Sequence, residues 1–310
     1  MNQMPYVLFA WILLGVISCD SADDKKGRFL LKGNNELREG NAKGAIAYYD
    51  EAIAIDPEFK DAYFNRAMAL HRQLKFPEAI ADYSRAIDLD RNYREAQVQR
   101  AMAYLDFGEN YKALDDTRTL LSMDEKDKQA HFIQGLTWTA LKEYSEAKEA
   151  FDKALELDPN NVELYINLAT VNYHLEEWEQ VKRNLSLAKN MDPGHSMIYN
   201  LESLVYFEEG EYQRALDQVD KAIGLEKDDP YYYNNRGLYQ LYLGNLEEGL
   251  KDINFSLKQN SRNLYALRNK GIYYHKKGEM ELAERFLREV SEKDPSIKLL
   301  DQYLTDLSSD

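Results

Sequence analysis

Apolar and polar residues follow each other with helical spacing along almost the whole chain, and the pattern repeats at a fixed interval. The segments GAIAYYDEAIAIDP, EAIADYSRAIDLD and EAKEAFDKALELDP share equivalent alanines, and this register recurs every 34 residues. Counted from Lys26, eight units follow one another without insertion: 26–59, 60–93, 94–127, 128–161, 162–195, 196–229, 230–263 and 264–297. A period of this length is typical of a repeated supersecondary unit. The pattern therefore predicts a helix hairpin in each unit.

Small residues mark two positions at which the helices of a hairpin would cross. Position 8 of the unit is Gly, Ala or Ser in all eight units, and position 20 is Ala or Gly in seven, with Val181 as the exception. A larger side chain at a close helix crossing would push the helices apart. Position 15 is glycine in five units, which suits the left-handed backbone that ends a first helix.

These signals at fixed offsets resemble the tetratricopeptide repeat family, and the resemblance covers nearly all of the chain after residue 25. It implies an all-α fold, an α-solenoid of eight 34-residue helix-turn-helix repeats. The end repeat of such an array needs a polar outer side. We therefore predict a capping helix and tail at 298–310, where Leu299, Leu300, Tyr303, Leu304 and Leu307 form one apolar stripe.

The N-terminal segment carries a different signal. Residues 6–17 are apolar and uncharged, and as a helix they would span only about 18 Å, too short for a bilayer. Val16-Ile17-Ser18 precedes Cys19, the only cysteine of the chain, and this stretch resembles the lipobox of bacterial lipoproteins. The resemblance implies a signal peptide at 1–18, palmitate-type lipidation of Cys19 and a tether at 19–25. The segment before the apolar run lacks Lys and Arg, so an ordinary secretory signal followed by a buried cysteine is the alternative.

The net charge of −15, from 39 Lys and Arg against 54 Asp and Glu, limits the partners. It opposes binding to nucleic acid and to anionic lipid headgroups, so we expect membrane attachment only through acyl chains on Cys19. The expected location is the bacterial cell envelope, with the outer membrane or cell surface favoured over the inner membrane. Asp20 resembles an inner-membrane retention signal of some bacteria, whereas Asp23-Asp24 resembles a surface-export tag of others.

A comparison of the units with one another predicts three ion pairs. Arginine at position 7 occurs only in units that also carry aspartate at position 23, and position 7 lies on the first helix and position 23 on the second. A salt bridge across the hairpin is the simplest cause. The alternative is an arginine row that grips ligand carboxylates. The predicted pairs are Arg66 with Asp82, Arg100 with Asp116, and Arg236 with Asp252.

The family resemblance implies that the first helices line a concave groove, where positions 5, 9 and 12 share one helix face. Packing between repeats explains part of this apolar stripe, and the rest suits a peptide or helix of a partner. The candidate groove residues on it are Phe64, Met68, Met102, Leu105, Phe132, Leu136 and Tyr173. If the two phenylalanines instead belong to the core, the surface is expected at Tyr231, Tyr242 and Tyr265.

Position 6 of the unit adds a polar row to this groove: Asn65, Asn167, Asn235 and Asn269. In relatives that transfer sugars to Ser and Thr, asparagines at this position hold an extended peptide by its backbone. The row is interrupted here, and asparagine is also an ordinary family preference at position 6, so both interpretations stay open.

No catalytic pattern is found in the sequence. The five histidines show no pair at metal-ligand spacing, and no G-x-S-x-G, P-loop or dinucleotide-binding pattern occurs. We therefore expect no enzyme, no metal and no cofactor. The expected function is a membrane-anchored protein–protein interaction scaffold or adaptor of the bacterial envelope. The alternative is a periplasmic carrier of free peptides or glycans.

Overall fold

A computed structural model describes residues 21–307, so Cys19 and the predicted signal peptide lie outside the described residues. Within this range the chain forms seventeen α-helices and no strand, and the predicted all-α class is confirmed. The helices are α1 (Ala22–Arg38), α2 (Ala42–Ile55), α3 (Lys60–Arg72), α4 (Phe76–Leu89), α5 (Arg94–Phe107), α6 (Asn110–Met123), α7 (Lys128–Ala140), α8 (Tyr144–Leu157), α9 (Val162–His174), α10 (Trp178–Met191), α11 (Ser196–Glu208), α12 (Tyr212–Leu225), α13 (Pro230–Tyr242), α14 (Leu246–Gln259), α15 (Leu264–Lys277), α16 (Met280–Lys293) and α17 (Leu300–Leu307).

The chain divides into two compact units, Met1–Met123 and Asp124–Asp310. The described part of the first unit contains α1–α6, and that of the second contains α7–α17. In both, consecutive helices form antiparallel pairs, and each 34-residue repeat contains one pair. The first helices of successive pairs also contact each other: α1, α3 and α5 in the first unit, and α7, α9, α11, α13 and α15 in the second. We call each of these rows the inner layer of its unit.

The small residues at positions 8 and 20 allow the two helices of a pair to touch through their backbones. A Cβ atom added to Gly237 on α13 would lie 2.9 Å from the carbonyl oxygen of Gly249 on α14. One added to Gly249 would lie 2.8 Å from the carbonyl oxygen of Gly237. Both distances are too short for a carbon–oxygen contact, so neither position of this pair tolerates a side chain without separation of the helices.

Left-handed backbone ends the first helix of a pair even where glycine is absent. Gly108 and Gly278 have φ near +84°, as their position in the repeat predicts. The same position in other repeats is occupied by Leu74, Lys142 and Glu176, whose φ values lie between 58° and 62°. Such a conformation costs roughly 1–2 kcal/mol in a non-glycine residue. The turn geometry is therefore imposed by the packing of the pair and not by the turn residue alone.

The predicted tether at 19–25 overlaps the first helix, because α1 begins at Ala22. Ser21 is the N-cap residue, and its hydroxyl accepts a hydrogen bond from the backbone N–H of Asp24 at 3.1 Å. The carboxylate of Asp24 in turn accepts from the backbone N–H of Ser21, which completes a capping box. Local capping therefore extends the first helix beyond the start of the repeat.

The predicted capping helix is α17, which begins at Leu300 and packs against α15 and α16. Its apolar stripe faces the protein, since Leu300 and Tyr303 are buried against the last two helix pairs. The turn that precedes α17 also buries Ile297. We call residues 294–307, which join the end of α16 to the end of α17, the C-terminal strap.

Candidate functional site

The three predicted arginine–aspartate pairs are in contact in the structure. Arg66 donates from Nε and Nη2 to the two carboxylate oxygens of Asp82 at 2.6 and 2.7 Å. This bidentate geometry is the strongest arrangement for such a pair, and it raises the pKa of Arg66 above its ordinary value. The same geometry joins Arg100 to Asp116 and Arg236 to Asp252.

Each of these arginines also bonds to the preceding repeat, which the sequence comparison missed. Arg66 Nη1 donates to Asp50 Oδ1 at 2.6 Å, and the equivalent acceptors for the other two are Ser84 Oγ and Asp220 Oδ1, both at 3.0 Å. All three acceptors stand at position 25 of the preceding repeat, which is the signal that would have found them. The three guanidinium groups thus bond to side chains of the repeats themselves. This favours structural salt bridges over a row of arginines that binds ligand carboxylates.

The aspartates of these pairs are not equivalent. Burial raises the pKa of the Asp116 carboxyl above its ordinary value even though Arg100 beside it favours the charged form. Asp116 is 6% exposed, and desolvation of its charge outweighs the attraction. This pair therefore adds less to stability than its geometry suggests.

An open cleft of about 610 Å³ lies between α3, α4 and α5 of the first unit. We call it the first-unit cleft. Its lining residues are Met68, His71, Arg72, Leu74, Phe76, Tyr83, Gln99 and Asp106. Leu74 is 73% exposed at its edge, and Phe107, 47% exposed, lies with its ring 6.1 Å from that of Phe76. The cleft thus combines an apolar rim with polar groups.

The polar groups of the first-unit cleft favour a ligand that supplies hydrogen-bond acceptors. Arg72 is exposed, and one of its five donors bonds to the carbonyl oxygen of Leu37 at 3.3 Å. The hydroxyl of Tyr83 is buried and has no hydrogen-bond partner among residues 21–307. Burial raises the pKa of Tyr83, so this hydroxyl is a neutral donor. His71 Nε2 lies 2.7 Å from Asp106 Oδ2, so that carboxylate already has a partner.

Of the groove residues predicted in the first unit, only Met68 lines this cleft. Phe64 packs between repeats, with its ring 5.9 Å from that of Tyr83 and 5.1 Å from that of Tyr93. Met102 and Leu105 are half-buried on α5 outside the cleft lining. The apolar stripe is therefore largely packing in this unit.

The predicted apolar groove residues of the second unit are also packed. Phe132 lies with its ring 5.9 Å from that of Phe151, and both Phe132 and Leu136 pack against a core that contains Leu164 and Leu168. Phe132 and Leu136 are therefore explained by packing between repeats, which was one of the two interpretations of the apolar stripe.

Two of the predicted asparagines bond to their own helices. Asn65 donates to the carbonyl oxygen of Asp61 at 2.7 Å, and Asn167 donates to that of Glu163 at 2.8 Å. In each case the acceptor lies four residues earlier on the same helix, so one amide donor is engaged locally. These residues do not join a continuous row.

The other two asparagines belong to a buried polar network on the inner layer of the second unit. Asn235 donates to Asn200 at 2.9 Å, and Asn269 donates to Asn234 at 2.8 Å. Asn269 also accepts from Nε and Nη2 of Arg268 at 2.9 and 2.7 Å. Sequence reasoning missed Asn200, Asn234 and Arg268, which all stand at position 5, where earlier repeats carry apolar residues. The amides bond to one another and not to an open groove.

Tyr173 lies beside this network on α9. Its hydroxyl donates to Glu208 Oε1 at 2.7 Å, and burial raises its pKa. Of the tyrosines predicted as a second surface, Tyr231 and Tyr265 are about half exposed, at 49% and 45%. Tyr242 is half-buried and accepts a hydrogen bond from Tyr303 of the C-terminal strap at 3.2 Å.

Neither a membrane span nor a metal centre is found in the described part of the chain. No helix of that part is both long and apolar enough to cross a bilayer. No cluster of three or more His, Cys, Asp or Glu side chains between residues 21 and 307 has the arrangement to hold a metal ion.

Comparison with protein families gives one consistent match. Three models described as tetratricopeptide repeat match the chain, at residues 30–94 and 234–296, at 129–161, and at 150–182. An uncharacterised protein of Methanocaldococcus jannaschii is 34% identical over 56 residues, which cover 18% of this chain and 65% of that protein. The chain thus spans slightly less than two thirds of the length of this relative.

Solved structures show the same fold. A tetratricopeptide repeat protein from Parabacteroides merdae aligns with a TM-score of 0.70 and 21% identity, covering 80% of this chain and 98% of that one. The Cut9–Hcn1 assembly of the APC/C aligns with a TM-score of 0.68 and 16% identity, covering 94% of this chain and 57% of that one. The pilF protein of Pseudomonas aeruginosa aligns with a TM-score of 0.52 and 17% identity, covering 69% and 97%.

Proposed function

Because the chain belongs to the tetratricopeptide repeat family, we propose that it is a protein–protein interaction scaffold that captures a partner segment in the first-unit cleft. The observation that carries the proposal is an open cleft with an apolar rim between α3, α4 and α5. Leu74 and Phe76 offer a surface for an apolar side chain of the partner. Arg72, which is exposed, offers donors for a carbonyl or carboxylate group beside it. We propose no catalytic role.

A charge placed in the cleft tests this proposal. Leu74→Glu introduces a carboxylate at an exposed apolar position, and we expect capture of the partner to weaken at least about tenfold, since one buried leucine contributes ~1.5–3 kcal/mol. The matched control is Tyr111→Glu on α6, because Tyr111 is similarly exposed, at 70%, and does not line the cleft. Pull-downs from solubilised envelope with both variants and the native chain provide the measurement.

The outcome separates the scaffold from the carrier. Protein partners that are lost with Leu74→Glu and kept with Tyr111→Glu support the scaffold. Partners that both variants retain would place the interaction elsewhere and end the cleft proposal. Recovery of only free peptides or glycans would favour a periplasmic carrier.

We further propose that acyl chains on Cys19 anchor the protein in the bacterial cell envelope. Support comes from the apolar run at 6–17, from the small residue Ser18 before the cysteine, and from a negative charge that opposes direct lipid binding. Each buried methylene contributes about 0.8 kcal/mol, so stable attachment requires more than one chain. Cys19→Ser should move the protein from the membrane fraction to the soluble fraction. Unchanged fractionation would reject the anchor.

The outer membrane or cell surface is the proposed location. The acidic pair Asp23-Asp24, which resembles a surface-export tag, also has a structural explanation. The carboxylate of Asp24 closes the capping box on Ser21, so the pair is accounted for by the start of α1 as well as by an export tag. Asp24→Asn keeps much of the cap, and protease shaving of intact cells shows whether surface exposure needs the charge.

A further inference from the structure

The C-terminal strap contacts helix pairs of the second unit that lie far from it in the chain, and not only the last pair, which precedes it. At its start, Lys142 Nζ, in the turn between α7 and α8, lies 2.8 Å from Asp294 Oδ2 and 3.1 Å from Ser296 Oγ. Further along, Tyr303 bonds to Tyr242 on α13. The strap therefore spans this layer from its first helix pair to its last.

Midway along the strap, Lys298 enters a set of four side chains that we call the lysine box: Tyr173, Glu176, Trp178 and Glu208. Lys298 Nζ lies 3.3 Å from Glu208 Oε1 and 3.4 Å from Glu176 Oε1. It also lies 5.2 Å from the ring centre of Tyr173 and 5.6 Å from that of Trp178. Two carboxylates and two aromatic rings around one ammonium group are the chemistry of a cation site.

Contacts within the repeats hold three of the four residues of the lysine box, Tyr173, Trp178 and Glu208. The hydroxyl of Tyr173 donates to Glu208, which holds that carboxylate in place. The rings of Tyr173 and Trp178 meet edge to face with centres 5.6 Å apart. All four residues belong to α9, α10, α11 and the turn between α9 and α10. The box is therefore preorganised for a lysine from any source.

Arg268 lies near the box and donates one of its hydrogen bonds to the strap. This residue is 5% exposed, and its side chain forms no ion pair with a carboxylate in residues 21–307. Two of its nitrogens donate to Asn269, and Nη1 donates to the main-chain carbonyl oxygen of Lys298 at 3.1 Å. A buried guanidinium that bonds to a main-chain carbonyl recognises a peptide backbone and not a particular side chain.

The strap holds these contacts in a conformation that its own residues disfavour. Leu299, directly after the lysine, has a φ of +72°, in the left-handed region that a leucine rarely adopts. Residues 295–299 form turns and no regular helix. Strained backbone of this kind persists where surrounding contacts impose it and occurs often at binding sites.

We propose that the lysine box and Arg268 form a second peptide-binding site, and that the strap is its occupant in cis. The partner it fits is a turn-forming segment in which a lysine has apolar residues on both sides, as Lys298 has Ile297 before it and Leu299 after it in the strap. The lysine binds in the box, and its main-chain carbonyl accepts from Arg268. The inference rests on the proposed scaffold function but not on the first-unit cleft.

The experiment uses a fluorescent peptide with the sequence of residues 294–307, DPSIKLLDQYLTDL, as the probe. Fluorescence anisotropy measures its binding to the full chain in detergent. Lys298→Ala empties the box without disturbing the core, because the side chain is 43% exposed. We expect this variant to bind the probe at least about tenfold more tightly than the native chain. Addition of Glu208→Gln should remove the gain.

Two milder variants provide a matched comparison. Lys142→Ala removes only the contact with Asp294 and Ser296, and should tighten probe binding about threefold, within the range of an exposed ion pair. Lys153→Ala is its control, because Lys153 is similarly exposed and pairs with Glu149 inside α8. Probe binding to Lys153→Ala should equal that to the native chain.

Equal affinity of the native chain and Lys298→Ala would overturn the proposal, and so would full binding of a probe that carries Glu at the lysine position. A dimer of the native chain that is lost with Glu208→Gln would also overturn it and assign the site to a second copy of the chain. Leu74→Glu in the first-unit cleft should leave probe binding unchanged, so failure of the scaffold test at that cleft is distinguishable from failure here.

Discussion

The two units are built from the same helix pair, yet their inner layers present different surfaces. In the first unit, α3, α4 and α5 border an open cleft, where Leu74 is exposed and the Tyr83 hydroxyl has no partner among the described residues. In the second unit, amides and Arg268 bond to one another and the C-terminal strap lies over them. The repeat determines the helices, whereas a few residues at inner positions determine whether a unit offers an open surface or an occupied one.

The difference is already present in the residue types at position 5 of the repeat. In the first unit this position is Leu30, Phe64 or Val98, which pack between helices. In the last three repeats it is Asn200, Asn234 and Arg268, which cannot be buried without hydrogen-bond partners. The polar inner layer therefore needs acceptors, and the strap supplies one of them.

Removal of the strap should have the largest effect and should be confined to the second unit. A chain that ends after Lys293 loses the burial of Ile297, Leu300 and Tyr303, which costs at most about 9 kcal/mol. Both tryptophans of the described chain, Trp138 and Trp178, lie in the second unit, so the midpoint of thermal unfolding followed by tryptophan fluorescence should fall. Hydrogen exchange in α3–α5 should stay unchanged. Equal loss of protection in both units would show that the units do not unfold separately.

Truncation of the two phenylalanines tests whether the inner apolar stripe is packing in both units. Phe64→Ala and Phe132→Ala should each lower the free energy of unfolding by about 3 kcal/mol, because each ring packs against an aromatic side chain of its own pair. Urea denaturation measures this effect for each variant. If either variant unfolds like the native chain but no longer captures a partner, that ring belongs to a binding surface.

Removal of one buried tyrosine hydroxyl should change the free energy of unfolding differently in the two units. Tyr239→Phe in the second unit removes a buried hydrogen bond to Ser203 Oγ at 3.0 Å, and should destabilise the protein by about 1 kcal/mol. Tyr83→Phe in the first unit removes a buried hydroxyl without a partner among the described residues, and should be neutral or stabilising. The urea midpoints of the two variants provide the test. A loss with Tyr83→Phe as large as with Tyr239→Phe would contradict it.

Acidification should weaken the attachment of the strap, with the smallest effect among these predictions. The hydrogen bond from Lys142 holds the pKa of Asp294 below its ordinary value of 3.8, and Ser296 lowers it further. A carboxyl with a lowered pKa adds stability that is present above pH 3.8 and is lost as the pH falls through the folded value. The pair is exposed, so the effect stays below about 1 kcal/mol.

The measurement is tryptophan fluorescence between pH 6 and pH 2, because Lys298 of the strap lies over the ring of Trp178. Tyr144, whose pKa is raised by burial, also faces Lys142 and stays neutral in this range. Lys142→Ala should reduce the change with pH. An identical pH profile for this variant and the native chain would show that the pair does not hold the strap.

Contacts within one repeat could largely be predicted from the sequence. The 34-residue period, the small residues at positions 8 and 20 and the paired Arg66 and Asp82 predict the helices, their crossings and one ion pair of each charged hairpin, because these contacts lie within a single repeat and recur at fixed offsets. The amphipathic stripe of α17 is equally local. The first-unit cleft was only partly anticipated, through Met68.

What the tertiary structure decided is every contact between residues far apart in the chain. Lys142 meets Asp294 across 152 residues, and Lys298 meets Glu208 across 90. Such contacts depend on the summed rotation of successive helix pairs, which no single repeat encodes. The structure also shows Phe64 as a packing residue and places the Arg268 guanidinium beside the main-chain carbonyl of Lys298. Periodicity specifies neighbours along the array, whereas only the assembled unit decides which inner surface stays open.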